Sequence, residues 1–284
     1  MTASIVKRSI AALLAQVALP VGAAVAQPSR VISLNLCTDQ LLLALADRSA
    51  IASVTHLARD CTISAHCRDA AGVPINYGTA EEMIATQPDL VLAGRYTTRP
   101  AVDIAHKLGM RVLDLNPANS LDDVRSQIRE VAEALGRPER GAAIIADLDR
   151  QLAAEPPTPE QNRPVAAVYQ ANGMTIGAGS LVDATMQAAG FDNLARRLGL
   201  ANYMYLPLET LIASQPDLLI LNTQRAIYPS IGESILSHPA IAAAIAPERR
   251  LVVPQSLWIC GGPEVGQAVA LLAQARLRIE AARP

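Results

Sequence analysis

Two stretches of the sequence nearly repeat each other: residues 81–92 read EEMIATQPDLVL, and residues 209–220 read ETLIASQPDLLI. Seven of the twelve positions are identical, and the second copy begins 128 residues after the first. Each copy predicts a short helix that ends before a proline, because the residue preceding proline disfavours the helical region, and then a buried apolar strand. The offset is too long for a solenoid, whose period is about 20–50 residues. The repeat therefore predicts two similar α/β lobes, each carrying one glutamate at the same place.

Segments that predict strands alternate with segments that predict helices in both halves of the chain. This alternation is typical of an α/β fold in which a mainly parallel sheet is covered by helices on both faces. A long helix is predicted from residue 138 to residue 154, and the proline-rich segment 155–159 after it is a stiff break between the halves. Residues 203–205 are expected in a loop. The predicted strands are residues 31–34, 51–54, 89–93, 111–115, 164–169, 217–221 and 250–253.

The charge of the chain is nearly balanced, with 24 basic and 26 acidic side chains and no run of Lys or Arg. This composition does not favour a nucleic-acid partner. The first 26 residues have the pattern of a secretory signal peptide, with the basic pair Lys7-Arg8, a short apolar stretch, and an Ala-Val-Ala sequence that ends at Ala26. We therefore expect cleavage after Ala26 and export. A retained N-terminal anchor is the alternative.

An exported chain meets oxidising conditions, which affects the interpretation of its four cysteines. Cys61 and Cys67 are close together in a turn-rich segment, and we expect a local disulfide between them worth about 2 kcal/mol. Free thiols are one alternative. A Cys/His metal site with His56 or His66 is another, but the spacing matches no standard zinc pattern, and we predict no metal site.

The loops at the predicted strand ends are rich in aromatic, amide and basic side chains. Ligands of open α/β sheets bind beyond the carboxyl ends of the strands. Aromatic faces together with arginines suit a flat, partly anionic ligand in a cleft between two lobes, whereas ordinary packing of tyrosines is the alternative. The ligand-binding candidates in these and neighbouring loops are Asn35, Cys37, Tyr77, Arg95, Tyr96, Asn172, Tyr203, Arg225, Trp258 and Cys260.

Sequence motifs of catalysis are missing. The sequence contains no G-x-S-x-G, no P-loop and no H-E-x-x-H pattern. Glu81 and Glu209 fall in separate lobes, which does not suit a general acid and base pair. The pattern Thr79-x-x-Glu82 is a capping box that places Glu81 in the first turn of a helix, where the helix dipole favours a carboxylate without any function. We therefore predict no catalytic residues and no resident cofactor.

Three features together resemble the periplasmic substrate-binding proteins of ABC importers for cobalamin, ferric siderophores and haem. They are the segment 30–34 that opens the mature chain, the Glu-x6-Pro-Asp-Leu element in each half, and the loop 258–263 near the end. The resemblance extends over residues 29–281, and the paired glutamate element is its most specific part.

This resemblance implies two Rossmann-like α/β lobes that are joined by one long rigid helix, with the ligand cleft between them. Here the lobes would be residues 27–136 and 156–284, joined by a helix within residues 137–155. The resemblance also implies that Glu81 and Glu209 form salt bridges with arginines of the two permease subunits in the inner membrane, to which a monomer docks. An exported enzyme on the same fold is the alternative from a different class.

The resemblance leaves three classes of transported ligand, of which ferric siderophores and cobalamin are preferred. Arg95, Tyr96 and Arg225 suit a siderophore. Cobalamin binders tend to have several tryptophans in the cleft, whereas this chain has Trp258 alone. Haem is the third class, and Tyr77 is the nearest candidate for its axial ligand, although its loop is short.

Cys37 and Cys260 are unusual because both fall at predicted strand ends, one in each lobe. Contacts from their thiols to a metal or a corrinoid, a disulfide, and buried free thiols are all open at this stage.

Overall fold

The structure is a computed structural model that describes residues 27–96, 99–155, 158–221 and 231–282. The predicted signal peptide and Arg225 lie outside the described residues. The strands are β1 (Val31–Ser33), β2 (Ile51–Thr55), β3 (Ile75–Asn76), β4 (Leu90–Gly94), β5 (Val112–Leu115), β6 (Val165–Tyr169), β7 (Met174–Ile176), β8 (Asp192–Asn193), β9 (Tyr203–Tyr205), β10 (Leu218–Leu221) and β11 (Arg250–Val252). The α-helices are α1 (Leu36–Leu45), α2 (Ala80–Thr86), α3 (Arg99–Lys107), α4 (Leu121–Ala134), α5 (Pro138–Ala153), α6 (Leu181–Ala188), α7 (Leu194–Arg197), α8 (Leu208–Ala213), α9 (Ile231–Ser234), α10 (Pro239–Ala244) and α11 (Val265–Ala281).

Two sheets, each made of parallel strands, form the centres of two lobes. Within the described residues, the first sheet has the strand order β3-β2-β1-β4-β5 and the second has the order β11-β10-β6-β8. Neighbouring strands in both sheets are parallel. The series β8-β6-β10-β11 repeats the arrangement of β2-β1-β4-β5, with α8 before β10 as α2 stands before β4. The predicted α/β class with a similar sheet in each half is confirmed.

Both faces of each sheet are buried, which explains why the strands are nearly continuous apolar runs. In β4, Leu90 and Leu92 belong to the hydrophobic core that includes residues of α1, α4 and α5. Val91 and Ala93, which point the other way, belong to the core that includes residues of α2 and α3. The residues of β10 alternate between two cores in the same way. Each lobe is therefore a sheet between two layers of helices.

The repeated element has the same backbone conformation in both lobes. Just past the ends of α2 and α8, Gln87 and Gln215 have φ angles of 48° and 45°, in the left-handed region. A proline follows each of them, and the residue before a proline disfavours the right-handed helical conformation. The chain therefore leaves the helix at the same point of the repeat in both copies.

The aspartate of the repeated element anchors the first strand of each lobe. The Asp89 carboxylate accepts hydrogen bonds from the backbone N–H groups of Ser29 and Arg30, at 2.7 and 3.0 Å, at the start of β1. The Asp217 carboxylate accepts one from the N–H of Val165 at 2.8 Å, at the start of β6. The Pro-Asp part of the repeat is thus explained by the fold.

The segment 203–205, for which the sequence predicts a loop, is a strand. Tyr203–Tyr205 forms β9 and pairs antiparallel with β7, in the register Ile176 to Tyr203. Each strand of this ribbon has only three residues, which is too short for an alternation of apolar and polar residues to be recognised. The two strands also lie some 25 residues apart in the sequence.

Helix α5 lies between the lobes and contacts α4 of the first and α11 of the second. Leu148 is buried in the core of the first lobe, whereas Leu152 packs against the cores of both. The predicted lobe boundaries, and the role of α5 as the single joining helix, stay predictions. No helix in the described part of the chain is long and apolar enough to span a bilayer.

Candidate functional site

A pocket lies beyond the carboxyl ends of β1, β4 and β5, and the segment 259–261 of the second lobe completes its wall. Its volume is about 160 Å³. Because it lies at strand ends and between lobes, it is where an α/β fold places a ligand. The predicted ligand-binding residues that line it are Asn35, Cys37, Arg95, Tyr96 and Cys260.

A disulfide between Cys37 and Cys260 joins the two lobes at the wall of this pocket. Cys37 lies in the first turn of α1 and Cys260 in the loop before α11. Their Cα atoms are 5.1 Å apart, although 223 residues separate them in the sequence. Of the three possibilities that the sequence leaves open, the disulfide is the one found. Neither sulfur atom can bind a metal in this state, because the thiolate is the form that binds metals and a disulfide contains no thiolate.

Arg95 supplies the positive charge of the pocket and is held by a neutral partner. Its Nη1 donates to Oδ1 of Asn116 at 3.0 Å. Gln127, 8% exposed, donates from Nε2 to the backbone carbonyl of Asn116. The sequence candidates omit Asn116 and Gln127. Asn116 directly follows a predicted strand, so the strand-end rule could have found it, and Gln127 is a polar residue among the buried apolar positions of α4.

Three exposed residues among the predicted ones lie outside this pocket. Tyr77 follows β3 at the edge of the first sheet, is 64% exposed, and stacks on His56 with ring centroids 4.8 Å apart. Tyr203 is exposed on β9, and Asn172 is exposed in the turn after β6. Their role in ligand binding stays a prediction.

Trp258 is placed differently from the sequence expectation. Its side chain is 6% exposed and packs in the core of the second lobe with residues of β10 and α11. The strand-end rule identified the loop correctly, but it does not tell which way a side chain points. We therefore leave Trp258 out of the candidate site.

The predicted disulfide between Cys61 and Cys67 is present, with Cα atoms 5.1 Å apart. Its loop places His66 so that its two ring nitrogens lie 2.7 Å from carboxylate oxygens of Asp69 and Glu264. Glu264 is a buried residue at the start of α11, so this pair is a second contact between the lobes. No group of three His, Cys, Asp or Glu side chains in the described residues could hold a metal ion.

Protonation of His66 is coupled to this contact between the lobes. The hydrogen bond with Glu264 raises the pKa of His66 above its ordinary value, burial opposes the rise, and Asp69 adds to it. Because the pKa is higher in the folded state, the contribution of His66 to stability is complete below about pH 6.5 and is lost as the pH rises through the raised value.

We expect the substitution His66→Gln to reduce the free energy of unfolding more at pH 5.5 than at pH 9. Urea denaturation of both proteins at the two pH values measures the difference. His106→Gln, which removes an exposed imidazole on α3, provides the control and should change the free energy of unfolding little. A loss in the His66 variant that does not change with pH would contradict the ionic contact.

The two docking candidates occupy equivalent positions. Glu81 and Glu209 are each the second residue of a short helix, and both are exposed. The equivalence extends beyond the twelve repeated positions, because Tyr77 and Tyr205 each stand four residues before the glutamate. These tyrosines are 64% and 58% exposed. Each lobe thus presents a tyrosine and a glutamate at the same spacing.

Each of the two α/β lobes is built on a parallel sheet, and a pocket lies between the lobes at the strand ends. This is the architecture of a two-lobed binding protein. A family model described as "Periplasmic binding protein" matches residues 31–253. The chain belongs to this family.

Comparison with known proteins gives a curated relative and solved structures of similar fold. A cobalamin-binding protein of Halobacterium salinarum is 25% identical over 198 residues, which cover 68% of this chain and 54% of the relative. The chain thus spans about half the length of the curated relatives it matches. The apo periplasmic heme-binding protein RhuT of Roseiflexus sp. RS-1 has a TM-score of 0.74 at 24% identity, over 88% of this chain and 98% of that one. A protein of an ABC-type Fe3+-hydroxamate transport system from Saccharomonospora viridis has a TM-score of 0.65 at 21% identity, over 88% and 93%.

Proposed function

We propose that this chain is the substrate-binding component of an ABC importer and that it captures a corrinoid or a ferric siderophore. The lining of the pocket carries the proposal. Among the described residues it contains no histidine, aspartate or glutamate, and both of its sulfur atoms are in a disulfide. Apart from Tyr96, such a wall lacks the usual protein ligands of iron and cobalt. It therefore suits a metal that arrives with its coordination already satisfied, as it does in a corrinoid or a ferric siderophore.

Within this pair we favour a corrinoid. The amides of Asn35, Asn116 and Gln127 line the pocket, and a side-chain amide both donates and accepts hydrogen bonds. The carboxamide arms of a corrinoid offer the same combination. The curated relative described above, a cobalamin-binding protein, supports this preference.

Haem is the second candidate because tyrosine is a possible axial ligand of its iron. Tyr96 lines the pocket and is 76% exposed. Tyr77, paired with His56 by stacking, is the other exposed phenol on the first lobe that suits this role.

We expect cyanocobalamin to raise the melting temperature of the purified protein in proportion to the logarithm of its concentration. At a hundredfold excess over the Kd, binding to the native state alone stabilises it by about 2.7 kcal/mol. A ferric trihydroxamate and haemin, tested in parallel, provide the two alternatives. The visible spectrum after removal of free ligand identifies the occupant by a corrin band, a ferric charge-transfer band or a Soret band. Absence of any shift with all three ligands would refute the ligand class.

The proposal includes the place of action and the partner. We propose that the signal peptide is removed after Ala26, and that the protein works in the periplasm as a monomer without catalytic activity. Its partner is the permease dimer, which Glu81 and Glu209 contact. The exposure of both glutamates, one in each lobe at equivalent positions, supports this role.

A further inference from the structure

The disulfide between Cys37 and Cys260 faces the pocket between the lobes. Both cysteines line this pocket; Cys37 is partly buried and Cys260 is 6% exposed. The volume of the pocket, about 160 Å³, is several times the roughly 30 Å³ that a water molecule occupies in the liquid. The thiol end of a small molecule therefore fits next to the bond, whereas a protein domain does not.

Tight packing covers the bond on the side of Gly261. A Cβ atom added at Gly261 would come within 2.5 Å of the Cβ of Ala118 and 3.0 Å of Oε1 of Gln127. The backbone next to Cys260 thus lies directly against the first lobe and leaves no space for a reagent on this side. The pocket is therefore the route by which a reagent reaches the sulfur atom of Cys260.

The position of Cys37 in the fold determines which sulfur atom leaves when the bond is broken. Cys37 is the second residue of α1, a helix of ten residues, and the amino end of a helix stabilises a nearby thiolate. The carboxylate of Asp39 in the same turn is bound to Thr55 of β2 and is not part of the pocket lining. Because the more stable thiolate is the better leaving group, an incoming thiolate attacks Cys260 and displaces Cys37.

We propose that the bond between Cys37 and Cys260 is a site of reduction by a low-molecular-weight thiol, open in the empty protein and covered when a chelate is bound. The first thiolate forms a bond to Sγ of Cys260, and the bond between the cysteines breaks to leave the Cys37 thiolate. A second thiol molecule then forms a disulfide with the first and releases Cys260 as a thiolate. Two electrons pass from the two thiols to the protein, and the two thiolates that it gains take up the protons that the thiols lose.

The inference rests on the proposed function, because the transported chelate is what covers the bond. Pockets that bury most of a drug-sized ligand have volumes of roughly 300–1,000 Å³, and this pocket is smaller. A bound chelate therefore extends across its opening and blocks the approach to Cys260. Reduction then removes the covalent tie between the lobes from the empty protein and leaves it in the loaded protein.

The experiment measures the rate at which dithiothreitol reduces each disulfide of the native protein, by alkylation of the released thiols and mass spectrometry. The protein is empty or saturated with cyanocobalamin, a gallium(III) trihydroxamate or gallium(III) protoporphyrin, which represent the three ligand classes. Gallium replaces iron because thiols do not reduce it. We expect a bound probe to slow reduction of the bond between Cys37 and Cys260 at least tenfold. Reduction of the bond between Cys61 and Cys67, which lies outside the pocket, should change less than twofold.

Glutathione in place of dithiothreitol identifies the sulfur atom that is attacked. After a short reaction of the empty protein that is stopped with acid, we expect the glutathione adduct on the peptide that contains Cys260. An adduct on Cys37 would overturn the direction of attack that the amino end of α1 favours.

The route of reduction is tested in the empty protein, since a ligand also suppresses unfolding. Dilute urea raises the unfolded population steeply, and the rate of reduction through the pocket should not follow it. A rate that does follow the unfolded population overturns the proposal, whatever ligand the protein carries. Equal rates with and without a bound probe also overturn it and leave the proposed function in place. If none of the three probes binds, the proposed function fails, and the covering of the bond fails with it.

Discussion

Replacing both Cys37 and Cys260 with serine is expected to lower the free energy of unfolding by about 5 kcal/mol. The disulfide closes a loop of 223 residues, and the stabilisation by a cross-link grows with the logarithm of the loop it closes, because the cross-link restricts the unfolded chain. For a protein of this size the loss corresponds to a fall in melting temperature of roughly 10 °C. Thermal and urea denaturation of the oxidised wild-type protein and the double variant measure both quantities.

The second disulfide supplies a control within the same chain. Cys61 and Cys67 are six residues apart, so the same reasoning gives about 2 kcal/mol for their replacement by serine. The difference between the two double variants isolates the effect of loop length, since each removes one disulfide and two sulfur atoms. Equal losses would mean that the long-range bond contributes no more than a local one.

The inter-lobe disulfide also bears on ligand binding, because its sulfur atoms lie in the wall of the pocket. A covalent tie at that point limits how far the lobes can separate there. We expect small-angle scattering to show a larger change in radius of gyration on ligand addition for the Cys37/Cys260 double variant than for the wild-type protein.

Reversing the charge at both Glu81 and Glu209 is expected to reduce uptake of the chelate at least tenfold and to leave its Kd within twofold of the wild-type value. If these carboxylates meet arginines of the permease, lysine at the same positions places like charges together, which costs several kcal/mol at an interface. A tenfold effect requires only about 1.4 kcal/mol. Uptake of radiolabelled cobalamin by cells with the variant as their only binding protein measures the first quantity, and titration of the purified protein measures the second.

Glu139 is a matched control for this experiment. It is exposed and, like the two docking candidates, it is the second residue of a helix, but it lies on α5 and not on the repeated element. Glu139→Lys should leave uptake unchanged. The docking role is contradicted if the variants of Glu81 and Glu209 lose ligand affinity, or if Glu139→Lys reduces uptake to the same extent.

Much of the fold follows from the sequence because its strongest signals are local. The repeated element combines a short helix, a proline that ends the helix and an apolar strand within twelve residues, and the physical causes of all three act between neighbours in the chain. The disulfide between Cys61 and Cys67 could be predicted for the same reason.

The parts that the sequence left open depend on contacts between distant segments. The pairing of Cys37 with Cys260 requires the two lobes to be placed against each other, which no spacing in one lobe encodes. The position of Trp258 in a core and not in the cleft depends on the direction of a side chain in a loop. Gln127 lies at the pocket because α4 brings that position to Asn116. In the sequence it is marked only as one polar residue among the apolar positions of that helix.

The two disulfides are nested, and this connectivity constrains how the molecule matures. If the chain is exported amino end first, Cys37 meets the oxidising compartment first, followed by Cys61 and Cys67, and Cys260 arrives last. Pairing in order of arrival would join Cys37 to Cys61 and Cys67 to Cys260, which is the wrong set of bonds. Correct maturation therefore requires one of two routes. Either Cys37 stays reduced until the second lobe has been exported, or an early wrong bond is exchanged for the right one, which takes seconds to hours. If the early wrong bond forms, production of the correctly bonded protein should depend on a thiol–disulfide exchange catalyst in the same compartment.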